Sequence, residues 1–309
     1  MENPDKDPAY RGRFAPSPTG PLHFGSLVAA VGSYLDARHH CGEWLVRMED
    51  LDPPREVPGA ADDILRTLER YSLHWDGEVI YQSHRSAEYQ LALEQLDASG
   101  RLYGCACTRK EIADTSLPGQ GAAVYPGTCR NGLPDGRKVR ALRVRVDTTE
   151  VSFEDSLQGS TRQHLGREVG DFVVRRADNL VAYQLAVVVD DAAQQITHIV
   201  RGADLLDSTP RQLYLQRLLG LPTPAYLHLP VAINSAGEKL SKQSSAQAID
   251  EADPVTVLLD VLQFLRQDLP GCAGDMTLED LLKWASERWD RTCLHAIRTR
   301  SAPAEYLGD

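Results

Sequence analysis

Four groups of residues in this sequence have the types and spacing to do chemistry. The first is Arg13-Phe14-Ala15-Pro16-Ser17-Pro18-Thr19-Gly20-Pro21-Leu22-His23-Phe24-Gly25-Ser26, which reads as a strand end, a Pro-rich turn and the start of a helix. A helix N-terminus offers unpaired N–H groups and a partial positive charge, small residues let a nucleotide phosphate approach the backbone, and His23 adds a donor. Taken alone, the same string is also a tight β-α turn with a solvent-facing histidine. The second group is Glu49, Asp50 and Asp52, three carboxylates in four positions after Arg47. Buried together they would repel, so they serve a charged partner or form a solvated acidic turn. The third is Lys239 and Lys242, which follow the turn Asn234-Ser235-Ala236-Gly237. Such a pair is either a phosphate-binding loop or solvated surface.

Cys105, Cys107 and Cys129 form the fourth group. Three thiolates make a zinc set if a fourth ligand exists, and buried free thiols are the competing reading. No histidine lies between Cys105 and Arg137, so Tyr125 is the candidate for the fourth position, with Asp114, Glu111 or water as alternatives.

These groups need elements to place them. Gly12 to Ala15 reads as a strand, His23 to about His39 as a helix with Phe24, Leu27, Val28, Val31 and Leu35 on one face, and Trp44 to Met48 as the next strand, with Cys41-Gly42 as the helix stop. Helical spacing continues over Pro58 to Tyr71 and Ser86 to Ser99. From Cys105 to about Gly166 glycines, prolines and cysteines dominate around one clear strand, Leu142 to Val146, as in an insertion. Strands resume at Asp171 to Arg175 and Ile196 to Val200, the latter ending in Arg201 at the carboxyl edge where open α/β sheets bind ligands. Tyr183 to Val189 reads as an apolar core segment ending in an acidic turn, Asp190-Asp191. A helix fits Pro210 to Leu219, with Ser208-Thr209 as caps and Gly220 at its end, and Val255 to Phe264 and Leu278 to Trp289 form a small helical appendix.

With 309 residues, 42% of them hydrophobic and 25% charged, the chain has the profile of a globular enzyme with one large core and a smaller one. Neither a signal peptide nor a membrane-spanning run is legible, so a cytoplasmic location is expected. Six unevenly spaced cysteines make no disulfide framework. A net charge of -11 does not advertise a nucleic-acid binder, yet local arginines can still track phosphates, and Arg137, Lys138, Arg162 and Arg167 are candidates.

The string RFAPSPTGPLHFGS resembles the opening signature of glutamyl-tRNA synthetases, with His23 at the first His of the class I HIGH motif and Ser26 in place of the second. Arg47 to Arg55 resembles their R-x-E-D-x-D segment, and Lys239-Leu240-Ser241-Lys242-Gln243 resembles the KMSKS loop, with Gln243 for its last serine. Together with Tyr183 to Asp191 and Ile196 to Asp204, these make five ordered matches between residues 13 and 243. PSPTGPLHFGSL, EDLDPPREVPGAADDIL and KLSKQ in this order most resemble the truncated paralogues, the glutamyl-queuosine tRNA(Asp) synthetase family.

The resemblance implies an α/β fold: a class I Rossmann-like (HUP-type) parallel sheet split by a zinc-containing insertion, with the small helical appendix at the C-terminus. Residues 1–104 would be the first half of the catalytic domain, 105–166 the insertion, 167–243 the second half with the lysine loop, and 244–309 the stem-contact-like appendix. It implies that Arg13, Phe14, Ala15, Pro16, Ser17, Glu49, Tyr183 and Arg201 surround glutamate and that His23, Ser26, Lys239 and Lys242 meet ATP, with His23 and Lys242 catalytic. Two arginines suit the two carboxylates of glutamate, Glu49 its ammonium and Tyr183 a further hydrogen bond. Cys105, Cys107, Tyr125 and Cys129 would hold one structural Zn2+, and Mg2+ would accompany ATP. The implied reaction is tRNA-independent activation of L-glutamate to glutamyl-AMP, then transfer to the cyclopentenediol of queuosine in tRNA(Asp), by a monomer without membrane contact. The alternatives are a shortened glutamyl-tRNA synthetase charging the 3′ end of tRNA(Glu) and a non-catalytic zinc-containing RNA-binding or adenylate-sensing module. The 66 residues after Gln243 are few for an anticodon-binding region, which weighs against the first. The retained His23, Glu49, Arg201 and Lys242 weigh against the second.

Overall fold

The structure is a computed structural model that describes residues 9–114, 124–148, 150–240, 249 and 253–307. Its elements in chain order are β1 (Arg11–Phe14), α1 (Phe24–His39), β2 (Glu43–Met48), α2 (Ala60–Arg70), β3 (Ile80–Tyr81), α3 (Ser86–Ala98), β4 (Leu102–Cys105) and α4 (Arg109–Asp114). Then come β5 (Ala141–Val144), β6 (Glu150–Asp155), β7 (Gly159–His164), α5 (Leu165–Glu168), β8 (Phe172–Arg175), α6 (Tyr183–Ala193), β9 (His198–Gly202) and α7 (Thr209–Leu219). The chain ends with β10 (Ala225–Leu229), β11 (Val231–Ile233), α8 (Pro254–Phe264), α9 (Leu278–Glu287) and β12 (Thr299–Ser301).

β1, β2 and β3 pair in parallel, as do β9 and β10. The Thr197 amide donates to the Arg11 carbonyl, and the Arg11 amide donates to Thr197 Oγ1, which lays β1 beside β9. From the β1/β9 seam, β1-β2-β3 and β9-β10 run outward to opposite sides, each in sequence order. Such a reversal opens a crevice at the carboxyl ends of the strands, where β1 ends at Phe14 and β9 at Gly202, the residue after Arg201. Helix α1 lies close on this seam because Gly32 faces Leu229: a Cβ at Gly32 would stand 2.5 Å from Leu229 Cδ1. The helix stop has an unexpected division of labour. Cys41 takes the left-handed conformation with φ 52°, while Gly42 is needed for space, since its Cβ would lie 2.5 Å from the Tyr10 carbonyl oxygen.

Several sequence expectations change in detail. Tyr183 to Asp191 is a helix, and Asp190 and Asp191 are buried within its last turns instead of forming an acidic turn. Its run is apolar on every side, so no helical period was visible. Ser208 does not cap α7; its Oγ accepts from Gln184 Nε2 at 3.1 Å, and Gly220 closes the helix at φ 66°. In the segment 105–166, β5 pairs antiparallel with β4 and β8, whereas the β6–β7 hairpin joins β10 through β6. Its two parts therefore sit in two different sheets. The segment 244–309 contributes β12 as well as α8 and α9, and β12 pairs in parallel with β11. Among the described residues, no helix is long and apolar enough to cross a membrane.

One core lies under α1 and includes the side chains of α8 and α9; a second lies between α3, α6, α7 and strands β5, β6, β8, β9 and β10. Phe24, at the first turn of α1, stacks on Tyr306 at 4.4 Å and meets Phe264 edge-on at 5.6 Å, so the start of the crevice helix is fixed by the end of the chain. Phe24→Ala is expected to lower stability by about 3–5 kcal/mol, because the ring is 1% exposed. Urea unfolding measures it, and a wild-type midpoint would show that these contacts do not couple the two ends.

Candidate active site

A cavity of about 560 Å3 opens at the carboxyl ends of β1 and β9. Its lining brings together Arg13, Phe14, Ala15, Pro16, Ser17, His23, Ser26, Glu49, Tyr183, Arg201 and Lys239, residues that the sequence scatters over more than two hundred positions. Lys242 lies outside the described residues. The Glu49 amide donates to the Pro16 carbonyl at 2.9 Å, so the Pro-rich turn and the end of β2 are held edge to edge.

A buried ionic cluster stands behind this wall. Arg13 Nε donates to Asp191 Oδ1 at 3.1 Å, and the wholly buried Arg47 reaches Asp191 Oδ1 at 2.9 Å and Glu49 Oε1 at 3.3 Å. Asp190 accepts from Arg85 Nε at 2.6 Å, Gln82 Nε2 at 2.7 Å and the Tyr89 hydroxyl at 2.8 Å. Three cations thus face three anions, with Arg13 and Glu49 in the cavity wall. Burial raises the Glu49 pKa against the opposing pull of Arg47 and Arg13. Burial acts the same way on Asp191, but there Arg13 and Arg47 prevail and hold the carboxyl below its ordinary value. The other acids of the same segment have separate roles. Asp50 accepts from the Ser83 amide at 2.8 Å and its hydroxyl at 2.6 Å, and Asp52 pairs with Arg55 and, at 3.2 Å, with Arg176.

Arg201 is held from behind as well. Its Nε donates to His228 Nε2 at 3.1 Å and one terminal nitrogen to Thr209 Oγ1 at 2.9 Å, while the other lies 3.5 Å from the Tyr183 hydroxyl. His228 Nδ1 stands 2.6 Å from Asp155 Oδ2. Only a neutral ring with its proton on Nδ1 donates to Asp155 and accepts from Arg201 at once. Burial pulls the His228 pKa down, the bond to Asp155 opposes it, and the Arg201 charge adds to the fall. Asp155 is fixed in turn by the amides of Leu157 at 3.0 Å and Gln158 at 2.8 Å.

On the other side of the crevice, His23 caps α1: its Nδ1 accepts from the Ser26 amide at 3.3 Å. A Cβ at Gly25 would meet the His23 ring at 3.3 Å, so the glycine leaves room for the imidazole at the helix terminus. Lys239 pairs with Asp204, just past β9. A helix N-terminus, a histidine and a lysine paired with Asp204 thus line the same cavity as Arg13 and Glu49. Such an arrangement can bind a polyanion beside a group carrying both charges.

Residues 9–262 match the family described as tRNA synthetases class I (E and Q), catalytic domain. The chain belongs to this family. It is 62% identical over 282 residues to the glutamyl-Q tRNA(Asp) synthetase of Dechloromonas aromatica (strain RCB), covering 91% of this chain and 94% of that protein. It is 57% identical over 302 residues to the protein of the same name from Aromatoleum aromaticum, covering 98% of this chain and 96% of the relative. In fold it is similar to the glutamate-tRNA synthetase of Elizabethkingia anophelis, with a TM-score of 0.79 and 23% identity, covering 97% of this chain and 69% of that one. The parallel α/β sheet is thus that of class I synthetases.

A second constellation lies at the end of the β4–β5–β8 sheet. The sulfurs of Cys105, Cys107 and Cys129 all lie within 4.8 Å of one another, and Cys107 and Cys129 are 3.6 Å apart. The Tyr125 hydroxyl stands 3.5 Å from Cys105 Sγ and 3.8 Å from Cys107 Sγ. A tetrahedral zinc with bonds of about 2.3 Å to sulfur separates its sulfurs by roughly 3.8 Å, so the donor set fits a metal of that size. Glu111 is engaged elsewhere, by Arg137 at 2.9 Å and the Thr108 amide at 2.7 Å, and its pKa is pulled down to about 2 by Arg137 and these bonds. The side chain of Asp114 lies outside the described residues.

Sequence reasoning passed over Arg47, Asp190, Asp191, His228 and Asp155 as site residues. Their signal was weak: each sits inside or beside an apolar run, where a charged residue asks for a partner without saying which. His228 should leave a mark on stability. The unfolded imidazole takes up a proton near pH 6.5, above the folded value, so this contribution is complete above about 6.5 and lost as pH falls through the folded value. His228→Asn is expected to show a smaller loss of urea midpoint between roughly pH 7.5 and 5.5 than the parent chain. An equal loss in both would mean that His228 is not neutral in the fold.

Proposed function

We propose that the chain activates L-glutamate with ATP to glutamyl adenylate and passes the glutamyl group to the cyclopentenediol of queuosine in the anticodon of tRNA(Asp). The observation that carries this reading is the pairing of two pre-held arginines and a carboxylate at the ends of β1, β2 and β9 with a helix N-terminus in one cavity. The acceptor rests on the relatives named glutamyl-Q tRNA(Asp) synthetase, matched over 94% and 96% of their own length. The cytoplasm is where these substrates meet.

In this reading Arg13 and Arg201 hold the glutamate carboxylates and Glu49 accepts from its ammonium, with Tyr183 and the backbone from Phe14 to Ser17 closing the wall. One α-carboxylate oxygen attacks the α-phosphorus of ATP, and the bond to pyrophosphate breaks. A queuosine hydroxyl then attacks the carbonyl of the mixed anhydride, loses its proton and releases AMP. The chain would contribute positioning and charge: His23, Ser26, the N–H groups of α1 and Lys239 would meet phosphate oxygens, and Lys242 would act on the transferred charge. Mg2+ bound with ATP would neutralise the outer phosphates. A structural zinc held by Cys105, Cys107, Cys129 and Tyr125 would fix the end of the β4–β5–β8 sheet, with the Ala106 amide, 3.5 Å from Cys129 Sγ, supporting the thiolate.

Two experiments test this. Glutamate-dependent pyrophosphate exchange is expected without any RNA, and labelled glutamate is expected in the anticodon fragment of tRNA(Asp) after guanosine-specific digestion. Label on the terminal adenosine of tRNA(Glu), or equal labelling of queuosine-free tRNA, would establish the shortened synthetase instead. Cys105→Ser or Cys129→Ser is expected to lose bound zinc in elemental analysis and to loosen the segment around Tyr125, as closed thiolate sites couple binding to local folding. A parent chain that carries no zinc and stays folded and active after exhaustive chelation would favour plain buried thiols.

A further inference from the structure

The β6–β7 hairpin is stitched to β10 beside the crevice. Tyr226 of β10 pairs with Asp155 of β6, the Ser156 amide donates to the Tyr226 carbonyl at 2.9 Å, and Gln158 Nε2 donates to the His228 carbonyl at 2.8 Å. These bonds set the Asp155 carboxylate against the His228 ring, and both side chains are buried. They stand behind the crevice cavity, whose lining holds Arg201 but neither of them. A carboxylate and an imidazole removed from water together are costly to keep, so the pair asks for a use.

The polarity of the pair is fixed from the carboxylate side. Asp155 Oδ1 accepts from the amides of Leu157 at 3.0 Å, Gln158 at 2.8 Å and His228 at 3.3 Å, which leaves Oδ2 for His228 Nδ1 at 2.6 Å. Burial raises the Asp155 pKa, but the bond to His228 and the amides outweigh it and hold the carboxyl below its ordinary value. An ionised carboxylate has no proton to give, so Nδ1 carries the ring proton and Nε2 is bare. Nε2 then accepts from Arg201 Nε at 3.1 Å, with Thr209 Oγ1 3.4 Å away. The ring also meets Tyr226, parallel at 6.1 Å, and feels the charge of Asp204, which Lys239 pairs.

The consequence for Arg201 follows from where its N–H groups go. Nε–H goes to His228, one terminal nitrogen gives a proton to Thr209, and the other lies 3.5 Å from the Tyr183 hydroxyl. One N–H on each terminal nitrogen remains, the pair that grips both oxygens of a carboxylate. We infer that Asp155 and His228 are positioning residues for glutamate binding: the carboxylate selects the ring tautomer, and the tautomer decides whether Arg201 presents that pair to the cavity. With the proton on Nε2 instead, two donors would face each other at 3.1 Å and Arg201 would turn away. The inference rests on glutamate as the substrate of the proposed function and adds what aims its arginine.

Asp155→Asn reverses the polarity while keeping the shape. The backbone amides hold the side-chain oxygen at the Oδ1 position, so the new amide NH2 faces Nδ1, which must accept, and the ring proton moves to Nε2. Nitrogen NMR of histidine-labelled protein is expected to find the His228 proton on Nδ1 in the parent and on Nε2 in the variant, a signature that loosened packing would not produce. In pyrophosphate exchange without RNA, KM for glutamate is expected to rise about tenfold in Asp155→Asn, with kcat and KM for ATP within about twofold of the parent. His228→Asn keeps a donor for Asp155 but offers Arg201 no acceptor, and the same rise is expected. His228→Gln keeps an acceptor near the Nε2 position, and its KM for glutamate is expected to stay within about threefold of the parent. Equal KM changes in the two His228 variants, a parent proton on Nε2, or a parental glutamate KM in Asp155→Asn would each overturn the inference. If Asp155→Asn does not fold, the His228 variants decide. A parent chain that exchanges no pyrophosphate would sink the adenylate step of the proposed function. Calorimetric glutamate binding by the same variants would then judge the relay, and a parent that binds no glutamate would overturn it.

Discussion

The structure turns on the meeting of Arg47 with Asp191. Removing a guanidinium wholly from water costs several kcal/mol unless charges and hydrogen bonds meet it, and Arg47 is 0% exposed. Its partners come from another part of the chain: Asp190 and Asp191 end α6, whereas Arg13 and Arg47 lie on neighbouring strands and Glu49 follows β2. Helix α6 therefore has one acceptable position against β1 and β2. A shift by one turn would take Asp191 from Arg13 and leave the buried Arg47 with Glu49 alone. Such a cluster contributes specificity of docking more than net stability, and that specificity puts Tyr183, at the other end of α6, opposite Glu49.

The same logic governs Arg201 by a different route. Its orientation passes through neutral His228 to Asp155, and from Asp155 to the amides that follow β6. Both cavity arginines are thus aimed before any ligand arrives, and their remaining N–H groups need no reorganisation to bind a carboxylate. The far wall is braced from the chain end. β12 pairs with β11, the Val231 amide donates to the Arg298 carbonyl and the Ala302 amide to the Ile233 carbonyl. β11 leads through the Asn234 turn to Lys239, whose backbone bridges back to Ile233. Residues beyond 290 therefore help set where the lysine segment leaves the sheet.

What was legible in the sequence followed from where each residue sits. Arg13, His23, Glu49 and Arg201 stand at strand ends or helix starts, where turn chemistry and a carboxyl edge give them away. Asp190 and Asp191 were hidden because an all-apolar run before them has no period, so their place inside a helix could not be separated from a turn. His228 lies in β10, a five-residue strand with four buried positions, and its partner Asp155 lies far away on β6. Pairing across such a distance is set by the β10–β6 contact alone, and no spacing rule reports it. The cysteines were the opposite case: Cys105 and Cys107 are brought to Cys129 by β4 and the loop after it, so local order already held most of the geometry.

The acidic total and the arginine-lined cavity are consistent once the acids are located. Asp155, Asp190 and Asp191 lie behind the arginines, buried, where they orient guanidinium groups and lower the cost of burying them. Net charge sets the far field, which water and salt screen within roughly 10 Å. A ligand within the crevice cavity instead meets the nearest groups, and there Arg13, Arg55, Arg201 and Lys239 outnumber Glu49 and Asp204. An acidic chain can therefore recognise anions wherever its carboxylates are committed on the inner side of its arginines. That commitment is what Arg47 and His228 enforce, and it ties the choice of ligand to the packing of α6 and β10.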